Sequence, residues 1–97
     1  MTAILRIEHQ ISDYDTWKAA FDRDPANRKR SGVQRYTIHR PVNDPQYVMV
    51  DLDFDTVADA EAMLTKLQEV WQSGAAAPAL AGSPQSRIIE TVETTEL

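Results

Sequence analysis

Two histidines and a handful of aromatic residues are the side chains of this sequence best suited to chemistry. His9 shares the parity of Leu5 and Ile7 in an alternating run over residues 3–11, which places it on the apolar side of a strand, at its end. An imidazole titrates near neutral pH, so at the mouth of an apolar pocket it can take a proton from a bound molecule as a general base. Tyr36 has the parity of Ile38 and is expected to face inward. A buried phenol needs a hydrogen-bond partner and can orient a ligand or donate a proton to it. His9 and Tyr36 are therefore the candidate catalytic pair. Trp17, Phe21, Phe54 and Trp71 are the candidate wall of a pocket for a small apolar or aromatic ligand, since such sites are mostly apolar with a few polar groups. The plainer alternative is packed core for the aromatics and a hydrogen-bonded strand end for His9.

Other chemistries find less in the sequence. His39 has the parity of Arg35 and Thr37, opposite to that of His9, so a metal site built from His9, His39 and Asp51 would need residues from two faces. Neither histidine has a ligand partner at helical or hairpin spacing, and there is no cysteine. No metal and no cofactor are expected. No glycine-rich phosphate loop and no nucleophile beside a base is present. The run Arg28-Lys29-Arg30 reads as a solvated helix end, where cations suit the helix dipole.

The elements that must position these residues are punctuated by glycine and proline. Pro25, Gly32, Pro41, Pro45, Gly74, Pro78, Gly82 and Pro84 all fall between periodic segments. Residues 3–11 alternate as a strand, and Ser12 is expected to cap a helix carrying Tyr14, Trp17, Ala20 and Phe21 on one stripe. Asp24-Pro25 can end that helix and begin a second short one that stops at Gly32. Val33 to Arg40 and Tyr47 to Phe54 form a hairpin across the turn PVNDPQ. Thr56 caps a long helix with Val57, Ala60, Met63, Leu64, Leu67, Val70 and Trp71 at three- and four-residue steps. Residues 75–86 are an apolar loop long enough to be a lid, with Leu80 docked near Trp71 or on a second subunit, and Arg87 to Glu93 is the last strand. The order strand, helix, strand, strand, helix, strand is that of a ferredoxin-like α+β domain: one four-stranded antiparallel sheet with two helices on one face.

Ninety-seven residues suit one domain, residues 1–97, and a net charge of −5 argues against nucleic acid as a partner. Arg6 and Glu8 interrupt the first apolar run, and no stretch approaches the roughly 18 apolar residues of a membrane span, so a soluble cytoplasmic protein is expected. Helices on one side leave the other sheet face open, with Ile4, Arg6, Glu8, Met49, Asp51 and Arg35 on it. Isolated apolar residues among interleaved opposite charges suit an interface, in which Arg6 and Arg35 would find Glu8, Asp51 or Glu90. Two such sheets can close face to face into a barrel.

The segments Asp13-Tyr14-Asp15-Thr16-Trp17-Lys18, Ser31-Gly32-Val33 and Asp53-Phe54-Asp55-Thr56 leading into Ala58-Asp59-Ala60 resemble the dimeric α+β barrel superfamily, which includes the antibiotic-biosynthesis monooxygenase-like domains. The resemblance covers nearly the whole chain and is carried by structural motifs. It implies a homodimer joined through the sheets, and a pocket between sheet and helices in each protomer. It also implies a cofactor-independent oxygenase or cyclase-like enzyme acting on an aromatic or polyketide-like compound. The haem-degrading members use a histidine on the second long helix and an asparagine near the end of the first strand. Residues 57–73 hold no histidine, and Glu8, His9 and Gln10 stand at the strand end, which disfavours haem. The competing expectation is a non-catalytic dimeric module with a filled core.

Overall fold

The structure, a computed structural model, describes residues 3–24, 27–72 and 84–97. Its elements are β1 (Ala3–Gln10), α1 (Tyr14–Asp22), β2 (Arg35–His39), β3 (Tyr47–Phe54), α2 (Val57–Gln72) and β4 (Gln85–Glu90). The strands pair antiparallel in the order β2-β3-β1-β4, the ferredoxin-like arrangement expected from the element order.

Side chains alternate across a strand, so the register of the two central strands sorts every residue onto a face. Leu5 lies opposite Leu52, Ile7 opposite Val50 and His9 opposite Val48. This face meets the helices. Ala3, Leu5, Ile7, Val48, Val50, Leu52 and Phe54 are buried there with Ile11, Trp17, Ala60 and Met63. Burying a side chain the size of Leu, Phe or Met is worth about 1.5–3 kcal/mol, so this layer supplies most of the driving force. The alternate residues form the open face. There Arg35, Asp53, Ile4 and Ile89 make one cross-strand row, and Thr37, Asp51, Arg6 and Arg87 the next.

Local chemistry moves several boundaries from those expected. The cap of α1 is Asp13, not Ser12: its backbone is extended (φ −156°, ψ 154°), and its carboxylate accepts from the Thr16 N–H at 3.1 Å and from the Thr16 hydroxyl. A carboxylate adds favourable charge at the positive helix end, which a serine hydroxyl lacks. The Ser12 carbonyl instead accepts from Gln46 Nε2 at 3.3 Å. Thr56 caps α2 as expected, its Oγ1 accepting from the Asp59 N–H at 3.1 Å.

The short second helix expected before Gly32 is a set of hydrogen-bonded turns in residues 28–32. Asp24 and Asn27 stand in the left-handed region (φ 53° and 52°), which breaks a continuous helical path. Gly32, at φ 95°, ends the turns as a left-handed stop: its N–H donates to the Lys29 carbonyl and the Val33 N–H to the Arg28 carbonyl. β2 is trimmed to Arg35–His39, and β4 runs from Gln85 to Glu90 rather than from Arg87 to Glu93. Glu90 already lies opposite Ala3, the first described residue of β1, so 91–93 have no described partner to pair with. Gln85 and Ser86 thus belong to β4 and not to the expected loop, while 75–83, with Leu80, lie outside the described residues. Among the described residues, no helix is long and apolar enough to cross a membrane.

Candidate functional site

Apolar packing at the end of β1 leaves one titratable group inside. His9 is only 6% exposed, with the ring of Trp17 at 6.2 Å. Its Nδ1 lies 3.0 Å from the Gln10 carbonyl oxygen. A carbonyl can only accept, so Nδ1 carries the proton, and in the neutral ring Nε2 holds the free lone pair. Burial lowers the pKa of His9 below its ordinary 6.5, against a smaller raising effect from the bond to Gln10. The ring is therefore neutral at pH 7, with its basic nitrogen unprotonated. Among the described residues no fully buried side-chain nitrogen or oxygen lacks a partner, and no group bonds Nε2. Nε2 thus stands at the edge of the core rather than sealed within it.

The aromatic residues form a row that starts at this histidine. Tyr14 meets Trp17 at 5.8 Å, Trp17 stacks on Phe21 at 5.1 Å, and Phe21 meets the edge of Tyr36 at 5.0 Å. The three residues from α1 sit at three- and four-residue steps on the stripe that faces the sheet, which is why they fall in line. Trp17 is buried, while Tyr14, Phe21 and Trp71 are partly buried against the core. α2 starts beyond Phe54, and the fourteen steps from Val57 to Trp71 rise about 21 Å. The six steps from Phe54 back to Val48 cover about 20 Å of strand, so the length of α2 returns Trp71 toward the His9 end.

Two sequence-derived assignments fare differently. Tyr36 is on the expected helix-side face, opposite Leu52, but it is 42% exposed and not a buried phenol. β2 is an edge strand, and the Tyr36 ring meets Phe21 edge-on with the Arg28 guanidinium 5.2 Å away. Nor do His9 and Tyr36 converge. They lie two strands apart and four residues out of level, at opposite ends of the aromatic row. Phe54 has no exposed surface and sits opposite Ala3, at the far end of the sheet from His9, where it packs as core. Of the named residues, the structure brings His9, Trp17 and Phe21 together and leaves Phe54 and Tyr36 apart from His9.

Arg28, expected at a solvated helix end, has a role that sequence reasoning missed. Its guanidinium stacks 3.9 Å over Phe21 and lies 5.2 Å from Tyr36, while Nη1 donates to the Phe21 carbonyl at 2.8 Å. Asp24 holds it at 3.6 Å. A cation placed on an aromatic face is attracted by the ring quadrupole, so the row ends under a fixed positive charge. Arg40 stands likewise 5.7 Å from the Tyr14 ring. Nothing periodic links Phe21 to Arg28 across a proline break, so no sequence signal pointed there. His39, opposite Met49, is on the open face and apart from His9. Among the described residues, no three His, Asp or Glu side chains cluster so as to hold a metal ion.

The protonation of His9 sets a pH dependence. Above about 6.5 the ring is neutral in both folded and unfolded chains and costs nothing. As pH falls from 6.5 toward the lower folded value, the unfolded chain takes up a proton that the folded one refuses, and stability is lost. Denaturant unfolding of wild type and His9→Gln between pH 7 and pH 5 should show the wild type losing more. Parallel losses would mean that the buried imidazole carries no such penalty.

No family model matches this sequence. No curated protein matches it either. Solved structures do match in fold. SnoaB from Streptomyces nogalater, a cofactor-independent oxygenase, superposes with a TM-score of 0.74 at 12% identity, over 96% of this chain and 95% of that one. The ActVA-Orf6 monooxygenase of Streptomyces coelicolor, solved with nanaomycin D, gives 0.69 at 11% identity over 98% and 91%. A proposed antibiotic biosynthesis monooxygenase from Bordetella bronchiseptica gives 0.69 at 19% identity over 96% and 100%. The chain shares the ferredoxin-like fold of these antibiotic-biosynthesis monooxygenase-like proteins.

Proposed function

We propose that this chain binds a flat aromatic or polyketide-like molecule beside His9 and acts on it as a cofactor-independent oxygenase. The observation that carries this reading is the buried, neutral imidazole with a free Nε2 at the end of an aromatic row. Nε2 takes the proton of a phenol or of an activated ring carbon. The electron-rich anion then reduces dioxygen: one oxygen atom enters the ring carbon and the other leaves as water with the two hydrogens lost from the substrate. Trp17 and Phe21 would stack along the ring system and keep water from the anion. Support from outside the chain comes from SnoaB, a cofactor-independent oxygenase, and from ActVA-Orf6, which was solved with the ligand nanaomycin D. Fold by itself does not carry activity, so the weight falls on His9.

A panel of phenols and quinols, followed by oxygen uptake and by thermal shift, tests this. His9→Gln should retain ligand binding but lose roughly 100-fold or more in turnover, the usual contribution of a positioned general base. Binding and turnover that are indifferent to the substitution would contradict the role of His9. The competing reading, a non-catalytic module, rests on the sealed core around Phe54 and Met63 and expects no ligand-dependent shift at all.

The same proposal includes a homodimer closed through the open face. Ile4, Met49 and Ile89 are apolar residues set there among Arg6, Asp51, Arg35 and Asp53. Arg6 bonds Asp51 through Nε at 2.8 Å and Nη2 at 2.9 Å, and Arg35 pairs with Asp53 at 2.6 Å, a partner not among those expected from sequence. Both aspartates are buried although they lie on this face. Charges neutralised within one sheet allow two such sheets to meet without stranding an ion. Sedimentation at micromolar concentration should give twice the chain mass, and Arg6→Ala should shift it toward one. A single species of one chain mass in the wild type would contradict the dimer.

A further inference from the structure

Two cations stand near the Phe21 ring at the outer end of the aromatic row, and they are used differently. Lys18 Nζ lies 6.0 Å from the ring centre and is committed to Asp22, at 2.6 and 2.8 Å from the two carboxylate oxygens. Arg28 lies closer, at 3.9 Å, with its side chain only 16% exposed. One corner of its guanidinium is occupied, since Nη1 donates to the Phe21 carbonyl at 2.8 Å. Asp24 stands 3.6 Å from that same nitrogen, beyond hydrogen-bond reach, and its Oδ1 accepts from the Arg28 backbone N–H at 2.8 Å instead. Nε and Nη2, the opposite edge, have no partner among the described residues. No buried side-chain nitrogen of those residues lacks a partner, so this edge is within reach of solvent.

Nε–H and one Nη2–H of a guanidinium point the same way and form a fork that matches the two oxygens of a carboxylate. Arg6 uses this same edge on Asp51, at 2.8 and 2.9 Å. In Arg28 the fork is held in place by the ring beneath it and by the bond to the Phe21 carbonyl, so little freedom is left to lose when an acid arrives. Tyr36 completes the place. Its ring centre lies 5.2 Å from the guanidinium, it is exposed, and no described ring is stacked parallel on it. We propose that Arg28 and Tyr36 form a binding site for a flat aromatic carboxylate, the acid on the Nε–Nη2 edge and the ring against Tyr36. The short span between the two groups suits an acid attached directly to its ring, and the cation gains a second π face when that ring settles beside it. Asp24 is on the Nη1 side and so does not stand in the path of the acid. The site is on the helix side of β2, where Tyr36 lies opposite Leu52, away from the face that the dimer closes. It is at the far end of the row from His9 and does not depend on the oxygenase reading.

The test is an NMR titration of the ¹⁵N-labelled full chain with naphthoate, with naphthamide as the uncharged ring and cyclohexanecarboxylate as the acid without a flat one. Naphthoate should give saturable shifts at the amides of Phe21, Arg28 and Tyr36, and both controls should bind more weakly by about tenfold or more. Arg28→Lys keeps the charge without the fork and should weaken naphthoate by about tenfold. Tyr36→Ala, at an exposed edge-strand position, should weaken naphthoate and spare cyclohexanecarboxylate. His9→Gln should alter neither. Shifts that do not saturate, naphthamide bound as tightly as naphthoate, or an affinity unaltered in Arg28→Lys overturn the site. Should Arg28→Lys disturb the fold, Tyr36→Ala decides, and an unaltered naphthoate affinity there overturns the site. Shifts centred on His9 and lost in His9→Gln place the acid at the other end of the row and overturn it as well, while leaving the oxygenase reading standing.

Discussion

Pairing Leu5 with Leu52 puts Arg6 against Asp51, so one alignment of β1 on β3 serves both faces of the sheet at once. A slip of β1 by one residue would turn Leu5 and Ile7 away from the helices and drive Arg6 and Glu8 into them. Arg6 would then lose Asp51 inside an apolar layer, and an unpaired buried charge costs several kcal/mol. The two sets of contacts therefore act as one constraint. The helix-side layer wants apolar contact, the open face wants ion pairs, and the strand's period of two makes them the same decision. His9 is carried inside by that decision, since it shares the parity of Leu5 and Ile7.

The functional consequence is a division of labour between faces. The helix side becomes a dry environment in which a neutral imidazole lies against Trp17, with α1 continuing the aromatic surface to Phe21. Burial costs His9 some basicity, but the Gln10 carbonyl holds its tautomer and so keeps the lone pair on Nε2. A base that is both unprotonated and positioned at neutral pH suits removal of a proton from a weak carbon or phenol acid. The open face instead pairs its charges across strands, Arg6 with Asp51 and Arg35 with Asp53. Arg28 joins these themes, because it pins the turn after α1 onto the outer end of the aromatic row.

Much of the architecture was legible. Strict alternation marked β3 as Tyr47–Phe54, and the steps from Val57 to Trp71 marked α2, since long periodic segments bury one face and leave little choice. The stop at Gly32 was legible because only a left-handed residue closes that turn cheaply. Features decided by tertiary contact were not. Ser12 and Asp13 are both good caps, and the choice between them depends on Gln46 drawing in the Ser12 carbonyl. The start of β4 depends on how far β1 extends opposite it. For the site, parity gave the face of each residue but not its level along the strand. Phe54 and His9 were accordingly grouped together while standing at opposite ends of the sheet, and Tyr36 was read as buried although β2 is an edge. Arg28 on Phe21 needed the path of a loop that no periodicity describes.

The helix-side site rests on the state of one ring: His9 buried, neutral at pH 7, with its proton on Nδ1 and its lone pair on Nε2. Long-range ¹H–¹⁵N correlation of the imidazole through a pH titration reads its tautomer and its midpoint at once. The expected result is a protonated Nδ1, an unprotonated Nε2 and a midpoint below 6.5. A proton on Nε2, or a midpoint at or above that ordinary value, would contradict it.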